Sequence, residues 1–141
     1  MIVEGNKVFA IFIEKLNRFV GKVSCDGKES FVHIPNSGRL AELLRPGARV
    51  ILRESDNLKR KYRYSLIMVE KDDVLVSVDS ILPNKLVVNS IKEKVRVLRD
   101  GKTSKLLEHD FIKPEIKHLD SRFDVGLGNG EQISYYLEVK G

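Results

Sequence analysis

One cysteine, no tryptophan, four prolines and two methionines in 141 residues exclude several architectures at once. Cys25 alone cannot close a disulfide within the chain, which fits a reducing compartment. One cysteine and three scattered histidines do not supply the paired four-ligand spacing of a structural zinc site. No apolar run reaches the length of about eighteen residues that a transmembrane helix needs. The start, Met1-Ile2-Val3-Glu4-Gly5, lacks a basic stretch leading into an apolar core and a small-residue cleavage site. A cytoplasmic protein with no membrane partner is therefore expected. Neither sign of charge dominates. The 25 Lys and Arg against 20 Asp and Glu leave a net charge of +5, too mild a bias to name a polyanionic partner by itself. The chain also shows no internal repeat, low-complexity tract or heptad series.

What is present is a globular composition, 42% hydrophobic and 32% charged. Residues 1–80 read as short strands. Ile11-Phe12-Ile13, Arg18 to Val23, Ser30 to Ile34, Val50-Ile51-Leu52, Tyr64 to Val69 and Val74 to Val78 are apolar or alternating. Asp26-Gly27 marks a turn, and Pro35-Asn36-Ser37-Gly38 breaks a strand. Leu40, Leu43 and Leu44 place a short helix over 39–44, ended by Pro46-Gly47. This spacing predicts a small closed or half-closed barrel of five strands, with an OB-like domain over 1–80 as the leading candidate.

From Asn84 the period changes: Leu86, Val87, Ile91 and Val95 recur at helical spacing, with Asn84 or Ser80 as the cap. Asp100-Gly101 is a turn, and Leu106 to Ile112 is a short strand or irregular. Glu115 to His118, Ser121 to Leu127 and Gln132 to Lys140 follow, the last two as a hairpin about Gly128-Asn129-Gly130. Residues 81–141 thus read as a second, α/β domain, and the whole as α+β.

Three stretches carry candidate chemistry. In the hairpin, strict alternation puts Phe123, Val125 and Leu127 on one face with Ile133, Tyr135, Leu137 and Val139. Asp124, Tyr136, Glu138 and Lys140 then lie on the other. Asp124 stands opposite or diagonal to Glu138, about 5–8 Å away, so the two carboxylates can hold Mg²⁺, a hard cation that keeps several waters. Lys140 would lean over that ion, and Glu115 is a third carboxylate candidate. A wet strand face would carry the same residues for no catalytic reason. Lys59-Arg60-Lys61-Tyr62-Arg63-Tyr64 interleaves four cations with two tyrosines, types that grip phosphates and stack on bases. A solubilising loop would look alike. Pro35 to Arg39 is either a capping turn or a turn whose amides and Arg39 hold a phosphate. His33, alternating with Phe31, is more often packed than catalytic.

Taken together, six segments occur in order: His33 to Leu40, Ser55 to Tyr62, Pro83 to Leu86, Glu115-Ile116-Lys117, Ser121 to Asp124, and Glu138-Val139-Lys140. The chain resembles the sugar fermentation stimulation protein A family along its whole length. That resemblance implies a DNA-binding protein linked to the regulation of sugar metabolism, maltose in particular. It also implies an N-terminal OB-like domain and a C-terminal domain similar to the PD-(D/E)xK nucleases. By position, Glu115, Asp124, Glu138 and Lys140 would fill the nuclease-like site, with Asp124 and Glu138 on Mg²⁺. Arg122 would neighbour the phosphate, and Lys59 to Arg63 would be the family's basic loop. Family members continue past the Glu-x-Lys strand, so the nuclease-like domain is expected to be incomplete here and this chain a DNA binder rather than an efficient nuclease. Exposed C-terminal strands would then allow a homodimer.

Overall fold

The structure is a computed structural model that describes residues 5–93 and 108–140. Alternation and tight turns build its first sheet: β1 (Lys7–Asn17), β2 (Val20–Cys25), β3 (Lys28–His33), β4 (Arg49–Glu54), β5 (Tyr64–Lys71) and β6 (Val74–Ser77). Their order is β3-β2-β1-β4-β5-β6. A short parallel pairing, Val32 with Tyr64 and His33 with Ser65, joins β3 to β5. Strands β1 to β5 thereby close into the OB-like barrel that the spacing predicts, with β6 appended to β5. β1 serves both β2 and β4, and it bulges between Phe12 and Glu14 and again between Lys15 and Asn17. Each bulge bends the strand and increases its twist, as a small barrel requires. At the β2–β3 turn, Asp26 and Gly27 have φ of 48° and 78°, both left-handed as a type I′ hairpin demands.

The inward phase of these strands is the core. Phe12, Val23, Val32, Val50, Leu52, Leu66 and Val69 are buried together, closed off by Ile34 and Leu44. Burying a side chain the size of Phe12 or Leu52 contributes about 1.5–3 kcal/mol.

Several expectations change. β1 begins at Lys7, well before Ile11, and Arg18-Phe19 is the β1–β2 turn rather than strand. Residues 39–44 form a hydrogen-bonded turn, not a helix. Leu40 has φ 53°, outside the helical region, and its carbonyl accepts from the amides of Leu43 and Leu44.

The chain divides into two compact units between Ser80 and Ile81. In the second unit, α1 (Leu82–Lys92) is followed by β7 (Phe111–His118), β8 (Ser121–Asn129) and β9 (Gln132–Leu137), an antiparallel sheet in the order β7-β8-β9. Pro83 sits in the first turn of α1, where its missing N–H would be unpaired anyway. Neither expected cap acts: Ile81 is the N-cap residue and offers no side-chain bond, while Ser80 Oγ donates to the Pro35 carbonyl at 2.7 Å. Val88 and Ile91 pack on Val125 and Leu127, with Val87, Ile112, Leu137 and Val139 around them. Val95, the Asp100-Gly101 turn and Leu106 lie outside the described residues. Among the described residues, no helix is long and apolar enough to cross a membrane.

The β8–β9 turn is Gly130-Glu131, between Asn129 and Gln132, rather than Gly128-Asn129-Gly130. A bulge between Leu127 and Gly128 shifts the pairing by one. Gly128 lies so close to its partner strand that a Cβ there would sit 1.7 Å from the Gln132 carbonyl oxygen. β9 ends at Leu137, so Glu138 and Lys140 follow the strand instead of lying in it.

Candidate functional site

Two regions hold the candidate residues, one in each unit. In the barrel, residues 55–63 link β4 to β5 and are ordered by their own polar side chains. Ser55 Oγ accepts from the Asn57 amide at 3.2 Å, and Asn57 Oδ1 accepts from the Lys59 amide at 3.0 Å. Because β5 pairs with β3, the end of this loop returns alongside Phe31. The result is a groove of about 710 Å³ lined by Lys28, Ser30 and Phe31 on one side and Lys61, Tyr62, Arg63 and Tyr64 on the other, with Cys25 and Asp26 at the turn. Phe31 is 55% exposed. Lys61 Nζ and the Arg63 guanidinium lie 5.4 Å from the ring centroids of Tyr62 and Tyr64.

The cations are not equivalent. Arg63 Nε donates to Glu54 Oε1 at 2.6 Å, and Asn6 Nδ2 donates to Glu54 Oε2 at 2.9 Å. These bonds hold the Glu54 carboxyl below the usual range and raise Arg63 above its own. Lys59, Arg60 and Lys61 are exposed and make no ion pair among the described residues. Arg60 lies near enough to His33 to depress its pKa, after the larger effect of burial and against the opposing pull of Asp79. Arg39 does not join this groove. It lines a separate pocket with Lys15 and Arg18.

In the second unit the decisive feature is a break in alternation. Phe123 meets the Tyr136 ring at 5.1 Å, while Val125 is buried against α1. Asp124, between them, also turns toward the helix: its Oδ1 accepts from Asn84 Nδ2 at 2.8 Å, and its Oδ2 accepts from the Val139 amide at 2.8 Å. Asn84 lies one turn before Val88 on the same helix face. Strict alternation therefore misassigns Asp124, which shares the Val125 side. Directly across the β7–β8 ladder, between Pro114↔Val125 and Ile116↔Phe123, stands Glu115 with φ 52°. A left-handed non-glycine residue opposite a re-aimed carboxylate is the kind of irregularity that concentrates at functional sites.

Asn84, Glu115 and Asp124 line one pocket of about 360 Å³ with Ile81, Lys85 and Val88. Glu115 Oε2 also accepts from Arg122 at 2.6 Å. Glu138 pairs with Lys140, whose pKa is raised first by that bond and further by the charge of Asp124. The Val125↔Leu137 register, extended by one residue, brings Asp124 across from Glu138, but the two acids have different partners. Among the described residues, no three Asp, Glu, His or Cys side chains already converge as a metal cage. The donor chemistry nonetheless fits a hard cation. Two carboxylates share one pocket, each with lone pairs left over, and Mg²⁺ typically takes one or two protein carboxylates and keeps waters.

Sequence reasoning missed Phe31, Lys28, Asn84, Lys15 and Arg18. Phe31 had a signal: an aromatic on the outward phase of a strand whose next residue, Val32, points inward.

The family model described as "SfsA N-terminal OB domain" matches residues 13–78. The "Sugar fermentation stimulation protein homolog" of Acetivibrio thermocellus is 43% identical over 142 residues, which cover 100% of this chain and 58% of that protein. The protein of the same name from Clostridium tetani is 43% identical over 141 residues, with the same shares. The solved structure of Pyrococcus furiosus SfsA in complex with Ca²⁺ matches 94% of this chain and 53% of that one, with a TM-score of 0.75 at 24% identity. The chain thus spans little more than half the length of these relatives. Residues 13–78 are thus similar to the SfsA N-terminal OB domain, and the chain over its whole length is similar to the sugar fermentation stimulation protein homologs.

Proposed function

We propose that this chain binds DNA with little sequence preference, laying a strand in the groove between β2–β3 and the 55–63 loop. The observation that carries the reading is the lining of that groove. Lys28, Lys61 and Arg63 alternate with Phe31, Tyr62 and Tyr64, and the exposed cations Lys59 and Arg60 sit just upstream. Cations track a phosphate backbone while aromatic faces accept any base. The β2–β3 face and the β4–β5 loop are also where OB folds take oligonucleotides. With relatives named for stimulation of sugar fermentation, the expected setting is control of sugar use, maltose included. The test is an oligonucleotide titration of Phe31→Ala. Losing one base-stacking platform should weaken binding by about 1–3 kcal/mol, roughly 5- to 150-fold. Unchanged affinity in a folded variant sinks the groove assignment.

A second reading, a Mg²⁺-dependent nuclease acting on DNA, is favoured by the irregularity at Asp124 and Glu115. Asp124 and Glu138 would hold the ion, with Glu115 lining the same pocket as Asp124, and the ion would supply charge neutralisation at the phosphate and a more acidic bound water. Lys140 would place positive charge beside these acids, and Arg122, held by Glu115, would meet the phosphodiester. The Pyrococcus furiosus protein of this fold is described in complex with Ca²⁺, another hard cation. The reading requires calorimetrically detectable Mg²⁺ or Mn²⁺ binding that Asp124→Asn abolishes. β9, a sheet edge, would support a homodimer, tested by sedimentation against concentration.

A further inference from the structure

At the opposite end of β2 from the Asp26-Gly27 turn, the β1–β2 turn and the segment after β3 enclose a second cavity of about 350 Å³. Its lining is Lys15, Asn17, Arg18, Ser37, Gly38 and Arg39: three cations and, among the described residues, no carboxylate. Elsewhere on the barrel, four cations are matched: Lys22 with Glu29, Arg49 with Glu70, Arg53 with Asp79 and Arg63 with Glu54. Arg18 and Arg39 have no such partner among the described residues. Lys15 Nζ donates to the carbonyls of Gly38 and Arg39, contacts that aim the ammonium without neutralising it. Partial burial lowers the Lys15 pKa, a sign that its charge sits in a less hydrated setting where it attracts anions more strongly.

The frame is built as well as charged. Asn17 Oδ1 accepts from the Phe19 amide at 2.9 Å and fixes the turn that carries Arg18. Asn36 Oδ1 accepts from the Gly38 amide at 2.8 Å, and Asn36 Nδ2 donates to the Val78 carbonyl at 3.1 Å, which anchors the segment that carries Arg39. Two guanidinium forks and an ammonium on one small pocket suit a group with close to two negative charges and several acceptor oxygens.

We propose that Lys15, Arg18 and Arg39 form a binding site for a phosphate monoester, distinct from the groove lined by Phe31 and Tyr62. A phosphate monoester carries about −1.5 to −2 at neutral pH, whereas an internal phosphodiester carries one charge, so the site favours a terminal phosphate over a strand interior. That terminal phosphate belongs either to the end of a nucleic-acid strand or to a small phosphorylated molecule. Only the first source rests on the DNA-binding reading.

Calorimetry of the full chain with inorganic phosphate, and with one oligonucleotide carrying or lacking a 5′-phosphate, separates the cases. Both arginines are exposed, so Arg18→Gln/Arg39→Gln should fold. Losing two charge-assisted contacts should weaken inorganic phosphate binding at least about tenfold. If the 5′-phosphorylated strand binds tighter and the advantage disappears in the double variant, the source is a strand end. If inorganic phosphate binds but the 5′-phosphate adds nothing, the source is a small molecule. The proposal is overturned if phosphate does not bind, or binds equally well to the double variant. Loss of strand binding with phosphate binding intact would count against the groove alone.

Discussion

Replacing Lys59, Arg60 and Lys61 together with alanine should flatten the salt dependence of DNA binding by a calculable amount. All three are exposed and make no ion pair among the described residues, so each can release a counterion on meeting a phosphate. On single strands each phosphate contact adds about 0.7 to the slope of log K against log salt, so three contacts account for a slope of about 2. Between about 50 and 200 mM salt, the unmodified chain should therefore lose about 20-fold more affinity than the variant. Arg63 is different, because Glu54 already occupies its guanidinium. Arg63→Ala should move the slope by less than any of the three. Anisotropy titrations of a labelled strand at four salt concentrations measure both slopes. Stability should stay within about 0.5 kcal/mol, since exposed side chains away from caps and networks are replaced at little cost. Parallel slopes for the two proteins would refute the loop as a phosphate-contacting element.

Three other outcomes follow from the geometry. Asp124→Ala strips acceptors from the part-buried Asn84 amide and Val139 N–H, so the second unit should lose about 1–3 kcal/mol and the Val139 amide should exchange faster; unchanged exchange would show the bond is not made. His33 is held below its ordinary value of about 6.5 by burial first and Arg60 second. It is neutral in the fold while the unfolded chain takes up the proton first, so its stabilisation is complete above pH about 6.5 and is lost as pH falls through the lower folded value. Urea unfolding across that window should show a steeper acid loss in the unmodified chain than in His33→Gln, and equal slopes would exclude the effect. Gly128→Ala forces the Gln132 backbone aside and should cost upwards of about 1–3 kcal/mol in the second unit, read by exchange over 111–137; near-native protection there would contradict the close approach.

The barrel was legible because its strands announce themselves twice, through inward alternation and through turn dipeptides such as Asp26-Gly27. Its closure was legible only as a count of strands, since nothing in residues 32–33 and 64–65 declares a parallel pairing. Leu40, Leu43 and Leu44 mimic a helical face, but six residues ahead of Pro46 are too few to sustain one, and the left-handed Leu40 turns the spacing into a single loop of backbone. The carboxylates were found by type and order, while their direction was not. Alternation assumes an unbroken pleat, and the left-handed Glu115 opposite Asp124 leaves no mark in apolar periodicity, so the pattern alone puts Asp124 on the wrong side and offers its partner Asn84 only as a cap. The basic loop was visible as composition. Its groove was not, because Phe31 and Tyr64 are 33 positions apart and meet only through barrel closure.

That closure also dictates when the ring can exist. Val32 and His33 have no parallel neighbour until Tyr64 and Ser65 have been synthesised. A nascent chain that has emerged only through β3 holds a three-strand meander with both flanks raw, open to stray pairing with other chains. The last rungs to form are those beside the basic loop, so a ribosome pausing before residue 65 would leave half a barrel with the groove beside that loop not yet made.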